Sequence, residues 1–464
     1  MKINKLGVVN KMELLPNKLL IFTGKNNSGK TYTSYLLYGI LSSLYENTFF
    51  EVISYKELLE FILDDNKRTI SILKENVRTK YIEQAIKFIN RHLVDILVKN
   101  FKISEKYFDK FQYEITKDDI ELFLGKFCNE NPEDISINNI KFKITCDGKQ
   151  YIIEKDGNYT YEIINSIRTD KFLKQFLIIN LSNSLIKIPR PFYFPAERNG
   201  INVFKNELNE NRLKTYDTIM NTLQYSKLKS KKDKEKLRKE LLQQNLDLIF
   251  ETQSSSVYPK PISDYISFLN GMRPDYEAKT QNIELKNISS YIRDDIIHGK
   301  FEINSKDNTV TFRQKMGKTR YKAPLPFHVV SSSIKTLYGL DYYLDNVVKE
   351  GDFLIIDEPE LSLHPENQIK LAKVIAMITD CGIRVVLSTH SDLFIRSLIN
   401  ILLRNKIEKN QLLSESDTTI YNFDKGNVKT YKDILKISYF DNFDDSVMQL
   451  QDEYNNYLEE LDIF

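Results

Sequence analysis

The sequence predicts an α/β fold built around a mostly parallel sheet, and three observations predict it. The apolar run Leu19-Leu20-Ile21-Phe22 leads into a Gly-rich loop followed by a helical pattern. The apolar run Phe353-Leu354-Ile355-Ile356 ends in the carboxylate pair Asp357-Glu358. A third run, Val385-Val386-Leu387, ends in Ser388-Thr389-His390. Short continuous apolar runs that stop at polar or glycine residues mark strands buried on both faces. The strand, helix, strand order over 353–388 is the pattern that closes such a sheet.

A chain of 464 residues holds two or three average domains or one fold with long insertions. Apolar residues make up 41% of it, and Tyr and Phe together fill 54 positions, enough for a sizeable core and too many for wholesale disorder. The formal charge of +2 argues against a protein that coats nucleic acid uniformly, so any polyanion site is regional. Cys128, Cys146 and Cys381 lie far apart without metal or redox spacing, which points to a reducing, cytoplasmic setting. No run approaches the ~18 apolar residues of a membrane span, and the first residues lack the apolar core of a signal peptide. Neither membrane insertion nor export is expected.

Taken in order, residues 2–24 read as short alternating strands, and a helix opens at Gly29. From about 52 to 98 the apolar spacing is helical, as in Tyr55-Lys-Glu-Leu-Leu-Glu-Phe-Ile. Asp147-Gly148 and Asp156-Gly157 then punctuate an alternating stretch that looks like hairpins. Residues 51–200 are thus expected to form an α+β insertion lobe with antiparallel strands. Over 201–255 the pattern is helical again, with Tyr216, Ile219, Met220 and Leu223 on one arm and Leu237, Leu241, Leu242 and Leu246 on the other. A helical hairpin turning near 224–230 explains it, with arms of about 20 residues reaching only ~30 Å. Residues 300–315 read as a hairpin around Asp307-Asn308. The core segments are 1–50 and 300–430 of a single head, and 431–464 is an acidic helical tail.

Gly24-Lys25-Asn26-Asn27-Ser28-Gly29-Lys30-Thr31 fits G-x-x-x-x-G-K-[ST] between a strand and a helix, the context its mechanism needs. The glycines turn backbone N–H groups toward phosphates at the helix N-terminus, with Asn26, Asn27 and Ser28 completing the loop. Lys30 is expected to reach the β and γ phosphates of ATP and Thr31 to ligate Mg²⁺. Asp357 is the second expected Mg²⁺ partner. Glu358, beside it at the strand end, is the expected general base, and His390 the expected γ-phosphate sensor.

These motifs, together with Asp357-Glu-Pro-Glu360, Leu363-His364-Pro365-Glu366 and Ser388-Thr-His-Ser391, resemble the ABC-type ATPase heads of the SMC, RecF and OLD branch. The resemblance implies a P-loop ATPase head in which two copies sandwich ATP. It makes Leu363 to Glu366 similar to a D-loop and His390 to a switch histidine. Val330-Ser331-Ser332-Ser333-Ile334-Lys335 falls where these families carry the signature that meets the partner's γ-phosphate, with Ser333 in a place commonly held by glycine. Ser331 is therefore an expected nucleotide-site residue. Phe194-Pro195-Ala196-Glu197-Arg198 is similar to an Ala-Glu-Arg motif of OLD-like ATPases, which makes Arg198 another.

A transporter ATPase is disfavoured by the Asn-Asn loop and the long insertion. Only 74 residues follow His390, fewer than a domain of ~100–150 residues, so a nuclease domain of the chain's own is not expected. The chain resembles the stand-alone ATPase subunits of anti-phage systems such as Septu and PARIS, which implies a sensor or regulatory subunit beside a separately encoded nuclease effector. The alternative is a RecF-like, SMC-like repair protein whose main activity is ATP-gated DNA binding. Residues 226–240 carry eight Lys/Arg against three acids, and 441–464 carry eight acids and no Lys or Arg. The first is an expected contact for DNA or an acidic phage protein. The second interleaves Phe440, Phe443, Val447, Leu450, Tyr454, Leu458 and Leu461 at near-helical spacing, as an amphipathic helix docking on a neighbour does.

Overall fold

The computed structural model describes residues 1–47, 50–64, 66–132, 134–137, 140–156, 171–205, 258–273, 283–304, 309–317, 320–410, 412–431, 433–437 and 444–460. Among them the main sheet has nine strands. From one edge to the other they are Gln112–Glu114, Lys2–Leu6, Val9–Glu13, Asn427–Thr430, Thr418–Asp424, Leu19–Gly24, Arg384–Thr389, Phe353–Asp357 and Pro191–Phe194. The last five run parallel to one another. The predicted mostly parallel α/β sheet is thus present, extended by an antiparallel margin in which Lys2–Leu6 pairs Val9–Glu13 and Gln112–Glu114. Two short strands of the 51–200 stretch, Gln112–Glu114 and Pro191–Phe194, form the opposite edges of this sheet.

Strand side chains alternate between two cores because successive residues point to opposite faces. Leu20, Phe22, Tyr193, Phe353, Ile355, Val386, Tyr421 and Phe423 belong to the core on one face. Leu19, Ile21, Phe194, Leu354, Ile356, Val385, Leu387 and Ile420 belong to the core on the other. Helix Lys30–Glu46, buried on almost every side, covers the first face and packs on helix Lys74–Phe101. Helices Pro365–Asp380 and Asp392–Glu408 cover the second. A sheet buried on both faces explains why its central strands read as unbroken apolar runs.

The expected lobe contains an antiparallel sheet ordered Thr69–Leu73, Gln150–Asp156, Ile140–Asp147, Ile135–Ile137, with Asp147-Gly148 making the predicted turn. The second predicted turn, at Asp156-Gly157, extends outside the described residues. The helical reading of 52–98 is corrected: helices Tyr55–Leu63 and Lys74–Phe101 are separated by the strand Thr69–Leu73. Thr-Ile-Ser-Ile-Leu alternates with period two and carries three β-branched residues, which local strand packing rewards over the weaker helical pattern. Gly299–Ile303 and Val310–Met316 form the predicted second hairpin, although its turn lies outside the described residues. The predicted hairpin arms of 204–250 and the basic stretch 226–240 also lie outside them, apart from 204–205. Helix Asp444–Glu460 is present in the acidic tail, and Met448, Leu450, Tyr454 and Tyr457 on it are exposed. No helix among the described residues is long and apolar enough to cross a membrane.

Candidate functional site

Three neighbouring parallel strands end at one level of the sheet, and that alignment assembles the site. Thr23 stands beside Thr389, and Asp357 beside Ser388. The Gly-rich loop, the carboxylate pair and His390 therefore emerge together at the C-terminal edge, where open α/β sheets bind ligands.

The loop curls around its own lysine. Gly24 (φ 133°) and Gly29 (φ 108°) adopt backbone that favours glycine, and a Cβ would meet the Phe423 carbonyl oxygen at 2.1 Å from Gly24 and Val9 Cγ2 at 2.3 Å from Gly29. Both positions therefore require glycine. Asn27 is left-handed at φ 57°, while Lys25, Asn26 and Asn27 face solvent. Lys30 is 6% exposed, and its Nζ donates to the carbonyls of Gly24 (2.9 Å) and Lys25 (2.8 Å). Burial pushes its pKa down to about 8 against the opposing pull of Glu358, Asp357 and Glu360. The Ser28 hydroxyl is buried without a partner, and Thr31 is exposed on the first helical turn.

Asp357, 4% exposed, accepts from Ser388 Oγ at 2.5 Å on one oxygen and from the Tyr193 hydroxyl on the other. Burial, helped by the carboxylates of Glu197 and Glu358, raises its pKa to about 6 despite those two donors. Glu358 turns the chain through a left-handed φ of 47°, its amide donating to the Ser388 carbonyl at 2.9 Å. That conformation costs a non-glycine residue about 1–2 kcal/mol, so neighbouring contacts must hold it. His390 Nε2 lies 3.7 Å from Glu358 Oε1. Burial, with the Lys30 cation adding to it, pushes the His390 pKa down to about 4. The imidazole is therefore neutral near pH 7, and the 3.7 Å contact is not an ion pair.

Arg198, expected at the nucleotide, is placed by the structure on the carboxylate turn. It does not contact the Gly-rich loop: its guanidinium, 3% exposed, lies behind the carboxylate turn and donates to the carbonyls of Pro195, Asp357, Glu358 and Pro359. Its Nη1 and Nη2 donors are engaged by these four carbonyls. Ser331 caps the short helix Ser332–Lys335 through its backbone, and its hydroxyl meets Ser333 Oγ at 3.0 Å. Among the described residues it shares no hydrogen bond with the loop, the carboxylates or His390. Leu363 is buried, and His364 caps helix Pro365–Asp380.

Glu360 is a site residue that sequence reasoning passed over. It is 9% exposed, and its Oε1 accepts from Thr389 Oγ1 (2.8 Å) and from the His390 amide (2.9 Å). Burial raises its pKa, and Oε2 is buried without a partner. Tyr193 and Ser388, which orient Asp357, were missed as well. Their signal was a polar atom at the end of an apolar strand.

The site suits Mg²⁺ held jointly with phosphates. Among the described residues no three His, Cys, Asp or Glu side chains are grouped to hold a metal unaided. Mg²⁺ instead favours one or two carboxylates, hydroxyl and water oxygens, and substrate phosphates. Thr31 and Asp357 offer those hard oxygens, and a carboxylate whose burial disfavours its charge gains from a cation beside it.

The family model described as AAA ATPase domain matches residues 1–395, and the chain belongs to that family. No curated protein matches it. The Smc head domain from Pyrococcus furiosus, solved with an extended coiled coil and bound to the C-terminal domain of ScpA, is similar at 12% identity with a TM-score of 0.33, over 98% of each chain. An SmcHead bound to the C-winged helix domain of ScpA is similar at 10% identity and a TM-score of 0.33, over 93% of this chain and 96% of that one. The SMC head domain from Thermotoga maritima is similar at 10% identity and a TM-score of 0.21, over 36% of this chain and 51% of that one. These likenesses are distant, and the fold rests on its own strand order and on the family match.

Proposed function

From its membership of the AAA ATPase domain family, we propose that this chain binds ATP with Mg²⁺ and hydrolyses it at a site completed by a second copy of itself. The observation that carries the reading is the convergence of Lys30, Asp357, Glu358 and His390 at the ends of three adjacent strands. Lys30 would exchange its two carbonyl partners for β and γ phosphate oxygens, and the loop amides would cradle the chain of phosphates. Mg²⁺, held by Thr31 and Asp357, would neutralise charge developing on those phosphates. Glu358 would polarise the attacking water. Neutral His390 would donate a hydrogen bond where the γ phosphate ends, its backbone held by Glu360. Ser331, itself exposed at the start of a short, half-buried helix, would meet the nucleotide of the partner copy, which makes the dimer part of the site.

The resemblance of the motifs to anti-phage ATPase subunits extends the proposal to a cytoplasmic sensor or regulatory subunit working with a separately encoded nuclease. The exposed apolar side chains on helix Asp444–Glu460 support its tail as the docking element for such an effector. DNA or an acidic phage protein is the proposed trigger. The test is phosphate release by the wild-type protein and by Glu358→Gln. Loss of the base is expected to slow turnover by ~10²–10⁴-fold with ATP still bound. Turnover at the wild-type rate would remove Glu358 from the mechanism.

A further inference from the structure

A shared site needs a physical connection between the helix that faces the partner's nucleotide and the base that acts on the chain's own. We propose that the helical turn at residues 198–202 is that connection, with Arg198 and Asn202 as positioning residues that tie Glu358 to the Ser332–Lys335 helix. The inference rests on the reading of Glu358 as general base.

Arg198 and Asn202 are four residues apart in the helical stretch 198–205 and so lie on one face of it, about 6 Å apart along its axis. At one end, the Arg198 guanidinium gathers three consecutive carbonyls, those of Asp357 (2.7 Å), Glu358 (2.6 Å) and Pro359 (3.2 Å). Three successive carbonyls point to one side only if the chain turns sharply, and the left-handed Glu358 at φ 47° supplies that turn. The planar fork of arginine is suited to such a cluster, and a single ammonium is not. Next along the chain, Asn199 donates to Ser362 Oγ at 2.9 Å, and Ser362 is itself left-handed at φ 66°. At the other end Asn202 Nδ2 donates to the carbonyl of Lys335 at 2.8 Å, the last residue of the Ser332–Lys335 helix. The Tyr265 hydroxyl fixes the opposite atom of that amide, donating to Asn202 Oδ1 at 2.8 Å.

A cavity lined by Arg198, Pro359, Ile356, Thr336 and Leu337 lies between the carboxylate turn and the segment that follows the serine helix. Apolar side chains of the shared core, Phe194, Leu337, Leu340, Ile356 and Leu371, enclose it, and the hydrogen bonds of the 198–202 turn add the polar, directional path that reaches the backbone on both sides. Arg198 and Asn202 are both buried, and hydrogen bonds shielded from water hold their geometry. A displacement of Lys335 when the serine helix meets a partner therefore reaches the Glu358 carbonyl through one turn of helix.

The test uses full-length Arg198→Lys, Asn202→Ala and the double variant, each measured for kcat, KM, affinity for a non-hydrolysable ATP analogue and melting temperature. Lysine keeps the charge but cannot satisfy the carbonyls as a fork, so kcat should fall about 10²-fold, as misplacement of a catalytic group by 1 Å does, with analogue affinity unchanged. Asn202→Ala should lower kcat in the same way, and the double variant should lose no more than Arg198→Lys alone, since both act through one link. Effects that multiply, or a melting temperature that falls while kcat holds, would overturn the proposal. Should Arg198→Lys fail to fold, Tyr265→Phe frees the Asn202 amide by removing one hydroxyl: a lowered kcat at unchanged affinity supports the link, and an unchanged kcat overturns it. The two readings fail differently. Turnover indifferent to Glu358→Gln removes the reaction, whereas turnover that needs Glu358 but ignores Arg198 and Asn202 removes the link.

Discussion

Two buried cations stand on either side of the carboxylate strand, and both are held by main-chain carbonyls. Lys30 bonds to two carbonyls of its own loop, five and six residues back. Arg198 bonds to one carbonyl of its own turn and to three about 160 residues away. Desolvation lowers the Lys30 pKa to about 8, so burial disfavours its charge, and the proposed phosphates would restore it. The Arg198 pKa is lowered by burial too, yet a guanidinium stays charged near neutral pH. The same interaction type thus serves a provisional state in one region and a permanent brace in the other. A ligand can take over a flexible ammonium held by two neutral acceptors, but not a fork closed on four.

That contrast breaks if the two cations respond alike to removal. Lys30→Ala is expected to abolish detectable ATP binding by calorimetry, because the cation that neutralises the phosphates is gone, and to leave the melting temperature nearly unchanged. Arg198→Ala should do the reverse to stability, stranding four buried carbonyls at a cost of more than about 3 kcal/mol in a denaturant titration. Equal destabilisation by both would show that Lys30 is a structural brace as well.

A smaller effect is expected at His390. In the proposed role of a neutral donor to the γ phosphate it would act on turnover rather than on folding, and His390→Ala should then lower kcat by about 10²-fold, the loss seen for one oriented donor. Stopped-flow phosphate release measures it, and a kcat equal to wild type would reduce the histidine to packing.

The smallest effect comes from pH alone. Only protonated Lys30 pairs with phosphate, and its unliganded pKa of about 8 means that it is mostly charged at pH 7 and mostly neutral at pH 9. ATP affinity should therefore fall as pH rises through 8, by about tenfold between pH 7 and pH 9. The Lys30→Arg variant, charged throughout, should bind ATP with no such dependence, and a wild-type affinity flat from pH 7 to 9 would contradict the provisional state.

The same contrast explains what was legible in the sequence. The Gly-rich loop announces itself because its glycines and the hydrogen bonds of Lys30 lie within eight residues, and the carboxylates and His390 because each ends an apolar run. Sequence spacing also reveals the parallel sheet, since strands buried on both faces must be apolar throughout. Arg198 was singled out by the resemblance of 194–198 to an Ala-Glu-Arg motif, and its partners at 357–359 could not be read because only the pairing of Pro191–Phe194 with Phe353–Asp357 brings them to it. Glu360 was overlooked for a similar reason. Its carboxylate, two residues past Glu358, looks solvated in a turn, and only the alignment of strand ends sets it against Thr389 and the His390 amide. The strand Thr69–Leu73 was missed because five alternating residues are outweighed by the helical spacing on both sides. Local chemistry is readable, and chemistry assembled by long-range register is not.

The proposed site depends on two copies closing on ATP, and the molar mass of full-length Glu358→Gln by light scattering reads that closure. With ATP and Mg²⁺ the hydrolysis-impaired chain should run at twice the mass of its nucleotide-free form, and Lys30→Ala should not change mass on adding ATP. A Glu358→Gln chain that binds ATP and keeps the mass it has without nucleotide would contradict the shared site.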